Sequence, residues 1–181
     1  MTYGQRGIFM ENEEQCIDSS QLDPNFKYEI AASPEGRGIF FCYQCGTCSA
    51  SCPVQHAFDL KPHEIIQKSL LGLRDEVLNS KTIWICTTCF NCLERCPQGV
   101  NLTDVLFAIK NIASRDREMP DAVKTLLENI FEMGRIAEIS DFENEDREDL
   151  GLPAIPEEPD VEGIRKIFKK TKITELIEEG E

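Results

Sequence analysis

No apolar run in the chain approaches the roughly 20 residues needed to cross a bilayer, and the first fourteen residues have neither a basic head nor an apolar stretch ending in small residues. Membrane insertion and export are therefore not expected, and a soluble cytoplasmic protein is. Basic residues are scarce: 19 lysines and arginines face 33 acids, for a net charge of −14. Such a chain repels a nucleic-acid backbone rather than neutralising it, so nucleic acid is excluded as a partner. There is no glycine-rich phosphate turn after a strand and no Walker pattern, so flavin, nicotinamide and nucleotide sites are unsupported. No two cysteines are adjacent.

Cysteine is where the sequence is rich. Nine in 181 residues is too few for a small secreted disulfide scaffold, and their placement is more telling than their number. Eight fall in two windows, residues 42–52 and 86–96, with Cys16 alone near the N-terminus. Disulfide frameworks spread cysteines to join distant segments; these converge on something.

The chain around the windows reads as mainly helical. Pro62 is placed to open a helix with apolar positions Ile66, Leu70, Leu73 and Val77. After the second window, Leu102, Val105, Leu106, Ile109 and Ile112 share one helical face. A third pattern runs from Pro120 through Val123, Leu126, Leu127, Ile130 and Phe131 to a stop at Gly134. Each window ends in Cys-Pro, followed by a loop and a helix opening with an acid and two aliphatics: Glu64-Ile65-Ile66 and Asp104-Val105-Leu106. This internal repeat predicts two similar sites related by a pseudo-twofold. Four segments follow: a less regular N-terminal extension (1–38), a two-site domain (39–137), an acidic linker (138–162) and a C-terminal amphipathic helix (163–181). The linker holds eleven acids against Arg147, and Pro153, Pro156 and Pro159 predict an extended strap. In the last segment Ile164, Ile167, Phe168, Ile173, Leu176 and Ile177 recur at helical spacing beside Arg165, Lys166, Lys169 and Lys170. That helix caps the chain's own core or grips a partner; its pattern suits either.

The windows read Cys42-Tyr-Gln-Cys45-Gly-Thr-Cys48-Ser-Ala-Ser-Cys52-Pro53 and Cys86-Thr-Thr-Cys89-Phe-Asn-Cys92-Leu-Glu-Arg-Cys96-Pro97. Both are the C-x2-C-x2-C-x3-C-P run of bacterial ferredoxins, whose fourth cysteine ligates the other cluster. Three thiolates at steps of three let a tight loop wrap one 4Fe-4S cube, and the prolyl turn sends the fourth toward its neighbour. Cys42, Cys45, Cys48 and Cys96 are thus expected to hold one cluster, and Cys86, Cys89, Cys92 and Cys52 the other. Zinc is the alternative, in a non-redox interaction module, but a tetrahedral zinc knuckle has no use for a third and fourth thiolate followed by proline. His56 and His63 are read as a loop and a helix-start histidine, and Cys16 as an incidental thiol. Ile83, Trp84, Ile85 and Phe90 are expected to keep water from one cluster, and Ile39, Phe40 and Phe41 from the other. With every iron capped by protein thiolate, the chain has no open position for substrate and reads as a relay rather than a catalyst.

The 33 residues between Cys52 and Cys86 carry a helix, which resembles the α-helical ferredoxin domain rather than the mixed α/β ferredoxins. From Ile39 to Gly134 the chain is most similar to the C subunits of heterodisulfide reductases of the soluble methanogen type. The similarity rests on Cys-Tyr-Gln-Cys-Gly-Thr-Cys at 42–48, Ser-Cys-Pro-Val at 51–54, Trp84-Ile85-Cys86-Thr87-Thr88-Cys89 and Arg95-Cys96-Pro97-Gln98-Gly99-Val100. The resemblance implies no catalytic residue in this chain. It implies electron transfer from a flavin- and iron-sulfur-containing A subunit to a catalytic B subunit with Cys-Cys-Gly motifs. That catalytic partner reduces the mixed disulfide of coenzyme M and coenzyme B in methanogenesis, and some methanogens add a hydrogenase to the assembly. The same domain also serves complexes oxidising glycolate or glycerol-3-phosphate and fumarate reductases, which are the redox alternatives.

Overall fold

The computed structural model describes residues 17, 19–116, 119–156 and 161–178, and among these there is no strand. Helices α1 (Phe26–Ala32), α2 (Thr47–Ala50), α3 (Pro62–Leu71), α4 (Arg74–Leu78), α5 (Thr82–Ile85) and α6 (Asn91–Glu94) surround the longer α7 (Leu102–Asp116). Beyond it lie α8 (Asp121–Met133), α9 (Asp141–Asp149), α10 (Glu162–Thr171) and α11 (Ile173–Glu178).

The α7 stripe anchors the core. Leu102, Val105, Leu106, Ile109 and Ile112 are all buried, and full burial of such a side chain stabilises by about 1.5–3 kcal/mol. Ile65 and Ile66 of α3, Val77 and Leu78 of α4, and Ile83 of α5 complete the same cluster. The repeat is therefore real in packing, because both acid-aliphatic-aliphatic openings bury their aliphatic pair.

Pro62 opens α3 as its spacing predicts, with the Lys61 N–H donating to Glu64 at 2.7 Å. The helix stops at Gly72, so Leu73 and Val77 reach the core from a separate turn and α4. Gly72 has φ +88°, and a Cβ there would stand 2.4 Å from the Asp23 carbonyl oxygen. That contact and the 2.8 Å bond from Asp23 N–H to Gly72 O fix the reversal.

The less regular extension of residues 1–38 includes α1, whose Phe26 and Ile30 are fully buried in the core, and two expectations are corrected. The Arg74 side chain ties α1 to the rest: it pairs with Glu29 and with Asp116 of α7 and stacks 5.1 Å from the Phe26 ring centroid. The acidic segment is not extended throughout, because residues 141–149 form α9. The prolines all lie beyond that helix, and Ser140 and Glu143 form a capping box at its start. Finally, the C-terminal helix is two, broken at Lys172 with φ +61°. Its apolar side meets α8: Phe168 is buried and its ring lies 5.7 Å from that of Phe131. The last helices thus pack on α8, apart from the main core cluster.

Candidate metal centre

The two cysteine windows fold alike. In each, the third and fifth residues have positive φ: Gln44 at 64° and Gly46 at 74°, Thr88 at 53° and Phe90 at 59°. Left-handed residues of this kind curl a loop into the concave form that binds anionic groups including iron-sulfur centres. One helical turn then follows in both. Ser49 and Ala50 N–H donate to Gly46 O at 3.0 and 3.1 Å, and Leu93 and Glu94 N–H donate to Phe90 O at 2.9 and 3.1 Å. A phenylalanine accepts the left-handed conformation that glycine takes in the first copy, a strained choice for a bulky residue.

Each loop rims a cavity. The first is lined by Cys42, Cys45, Cys48, Cys92 and Cys96; the second by Cys52, Cys86, Cys89 and Cys92. Cys92 borders both. The first cavity thus meets the first three cysteines of its own window and the last two of the other, and the second cavity the first three of its own window and the fourth of the other. Cys45 and Cys89 are exposed and the other six half-buried. Among the described residues, no three His, Cys, Asp or Glu side chains converge as a site for a single ion. The thiols ring a volume instead.

The donor set suits an anionic iron-sulfur group. Thr47 hydrogen bonds hold the Cys45 thiol below its usual range, whereas burial pushes Cys48 and Cys52 up. Several groups meet sulfur: Gln44 Nε2 donates to Cys42 Sγ at 3.4 Å, Val100 N–H to Cys96 Sγ at 3.3 Å, and Thr103 Oγ1 lies 3.5 Å from Cys92 Sγ. Hydrogen bonds to ligating sulfur are a main lever on cluster potential.

Of the bulky residues expected to shield the sites, Phe90 lines the second cavity. Ile39 and Ile83 belong to the core, and Phe40, Phe41 and Ile85 are exposed. Trp84 packs against the core. The shielding walls come instead from the first turns of the long helices and the loops before them: Ile66, Val100 and Leu102 at the first cavity, and Val54, Phe58, Pro62, Leu102 and Leu106 at the second. Their position after Cys-Pro was the available signal: the loop residues Val54 and Phe58 reach the second cavity and Val100 the first, while Ile66 and Leu106 of the following helices line the cavity of their own window. His56 sits in an exposed turn away from both cavities. His63 starts its helix as expected but also lines the first cavity, which the sequence did not indicate. Cys16 lies outside the described residues.

Asp59 was not anticipated either. Its carboxylate accepts from Ser80 Oγ at 2.7 Å, Thr82 Oγ1 at 2.8 Å, Lys81 N–H at 2.9 Å and Thr82 N–H at 3.1 Å, joining the loop before α3 to the start of α5. Burial alone would raise its pKa, but these donors outweigh that and hold it well below the usual carboxylate range. The network fixes Phe58 on one side and the approach to Cys86 on the other.

A helical frame with two like cysteine loops places the protein among iron-sulfur carriers, and a family model described as a 4Fe-4S dicluster domain matches residues 39–100. Full-length relatives are more specific. The chain is 34% identical to the C subunit of the H2:CoB-CoM heterodisulfide, ferredoxin reductase of Methanothermobacter marburgensis, covering 93% of each chain. It is 32% identical to the iron-sulfur C subunit of the CoB-CoM heterodisulfide reductase of Methanopyrus kandleri, over 95% of this chain and 98% of that one. It is also 33% identical to the C subunit of the ferredoxin/F420H2-dependent CoB-CoM heterodisulfide reductase of Methanosarcina acetivorans, over 79% and 91%. This chain belongs to the family of heterodisulfide reductase C subunits. Among the described residues no helix is long and apolar enough to cross a membrane.

Proposed function

We propose that this chain holds two 4Fe-4S clusters, one on Cys42, Cys45, Cys48 and Cys96 and the other on Cys86, Cys89, Cys92 and Cys52. Through them it relays electrons from a flavin- and iron-sulfur-containing A subunit to the catalytic B subunit of a heterodisulfide reductase. The observation that supports this is the crossed lining of the two cavities: Cys42, Cys45 and Cys48 share the first with Cys92 and Cys96, and Cys86, Cys89 and Cys92 share the second with Cys52. A bound 4Fe-4S group supplies a one-electron carrier. The protein's part is to hold two of them close, capped by thiolate and walled by aliphatic side chains, with a rim of each at the surface. Cys45 and Cys89 are those rims, and exposed Tyr43 and Phe41 lie near the first in sequence as Phe90 and Ile85 do near the second. Two electrons delivered singly, with two protons, convert the coenzyme M-coenzyme B disulfide to two thiols. The absence of adjacent cysteines here agrees with placing that step in the catalytic partner.

Anaerobic purification of the tagged chain from its native host provides the test. A flavoprotein and a Cys-Cys-Gly protein are expected to be retained, and the chain separated from them anaerobically is expected to hold about eight iron and eight sulfide. Zinc without sulfide, or a chain purified alone, contradicts the proposal. Partners of glycolate- or glycerol-phosphate-oxidising type would redirect it to another dehydrogenase.

A further inference from the structure

Both cysteine loops carry a side chain where the backbone suits glycine best, and the two copies use that position differently. The third residue of the first window is Gln44, at φ +64°, and its counterpart in the second is Thr88, at φ +53°. Left-handed backbone is unfavourable for any residue with a Cβ, most of all for a β-branched one. Thr88 turns its hydroxyl back onto its own loop, donating to Thr87 O at 2.8 Å. Gln44 instead lines the first cavity, and its Nε2 donates to Cys42 Sγ at 3.4 Å.

The other end of the same amide shows what orients it. Gln44 Oε1 is buried and meets no hydrogen-bond donor among the described residues. A buried acceptor left unpaired is costly, so the amide is not placed to satisfy its own oxygen. Turning the amide over brings no relief when Cys42 ligates iron. A ligating thiolate has no hydrogen to give, and the oxygen would then face a second acceptor. One residue thus carries both a left-handed backbone and an unpaired oxygen, and the contact it makes in return is an N–H on sulfur.

We propose that Gln44 is a positioning residue that tunes the reduction potential of the first cluster through its amide N–H on the Cys42 sulfur, a role that position 88 does not have at the second. This rests on the two-cluster reading of the cavities. A donor on a ligating sulfur favours the more negative, reduced cluster, so the contact raises the potential. The whole worth of such a hydrogen bond, about tenfold in an equilibrium constant, bounds the shift at about 59 mV for a one-electron step.

The test is an anaerobic potentiometric titration of the purified complex followed by electron paramagnetic resonance, with iron and sulfide measured on every sample. Gln44→Met keeps the length of the side chain and removes the donor. It is expected to lower one midpoint by a sizeable part of that amount and to leave the other at its wild-type value. Gln44→Leu is expected to lower the same midpoint, and it supplies the reading where the methionine variant loads poorly. Thr88→Val removes the hydroxyl at the equivalent position and is expected to move neither midpoint. Fully loaded Gln44→Met or Gln44→Leu protein with both midpoints unchanged overturns the inference. So does a Thr88→Val shift as large as that of Gln44→Met, which would make the loop position rather than the donor the cause. Wild-type protein lacking iron and sulfide contradicts the two-cluster reading itself, a separate and distinguishable failure.

Discussion

Gly36 offers the sharpest test of how the first site is held. It is buried in the 3-10 turn Glu35–Phe41, which packs between α1 and α7 and runs directly into Cys42. A Cβ at position 36 would stand 1.8 Å from the Ile30 carbonyl oxygen and 2.5 Å from its carbonyl carbon. Both are backbone atoms, so no rotamer change relieves the collision, and either the turn or α1 must move. Moving the turn is overpacking, at about 1–3 kcal/mol. Releasing α1 instead uncovers Phe26 and Ile30, at about 1.5–3 kcal/mol each. The cheaper response sets the result, so Gly36→Ala is expected to cost roughly 3 kcal/mol, or about 6–12 °C in apparent melting temperature for a chain of this size. Gly38→Ala is the internal control, because the nearest atoms to its new Cβ are 3.9 Å away. The assay is anaerobic thermal unfolding by circular dichroism, with visible absorbance reporting cluster loss. The first cluster should be lost before the second in Gly36→Ala, since the displaced turn carries Cys42. A Gly36→Ala protein as stable as Gly38→Ala refutes the reasoning, as does loss of the second cluster first.

Two further outcomes follow from the site. Cys52→Ser is expected to damage the cluster on the second window and Cys96→Ser that on the first, each leaving the other resonance signal largely intact; uncrossed damage refutes the pairing. Asp59→Ala removes the acceptor from Ser80 and Thr82, which are 2% and 0% exposed, and is expected to cost about 2 kcal/mol, since water at this exposed carboxylate compensates in part. Asp59→Asn should fall between the two. Because the folded-state pKa of Asp59 is depressed, its stabilisation is fully present above the ordinary value of 3.8 and is lost as pH falls below it. Denaturant unfolding should therefore show a constant gap between wild type and Asp59→Asn near neutral pH. A gap that closes on going from pH 6 to 8 contradicts the assignment.

Much of the site was legible because it is local. The cysteine spacing, the prolines after each window and the glycine stop at 134 act over a few residues, and α8 ends at Gly134 as its spacing predicts. The α7 face was equally plain, since five aliphatics at helical period leave little choice of orientation. The α9 helix was missed because three prolines were allowed to speak for residues upstream of them, where the Ser140 capping box acts. The membership of α1 in the core was missed for a different reason: seven residues with two large apolar side chains carry too little periodicity to distinguish a core helix from a tail.

The sequence by itself determined the two cysteine windows and their spacing, because a loop can curl its thiols toward one point only when they recur at short, regular steps. The tertiary fold decided what surrounds them. Gathering α3 and α7 on one core brings Ile66, Leu102 and Leu106 against the cavities, sets His63 beside Ser49 and Thr103 beside Cys92, and lets Asp59 clasp a loop more than twenty residues away. Such contacts join residues distant along the chain, and only the geometry of helices meeting over a shared core specifies them.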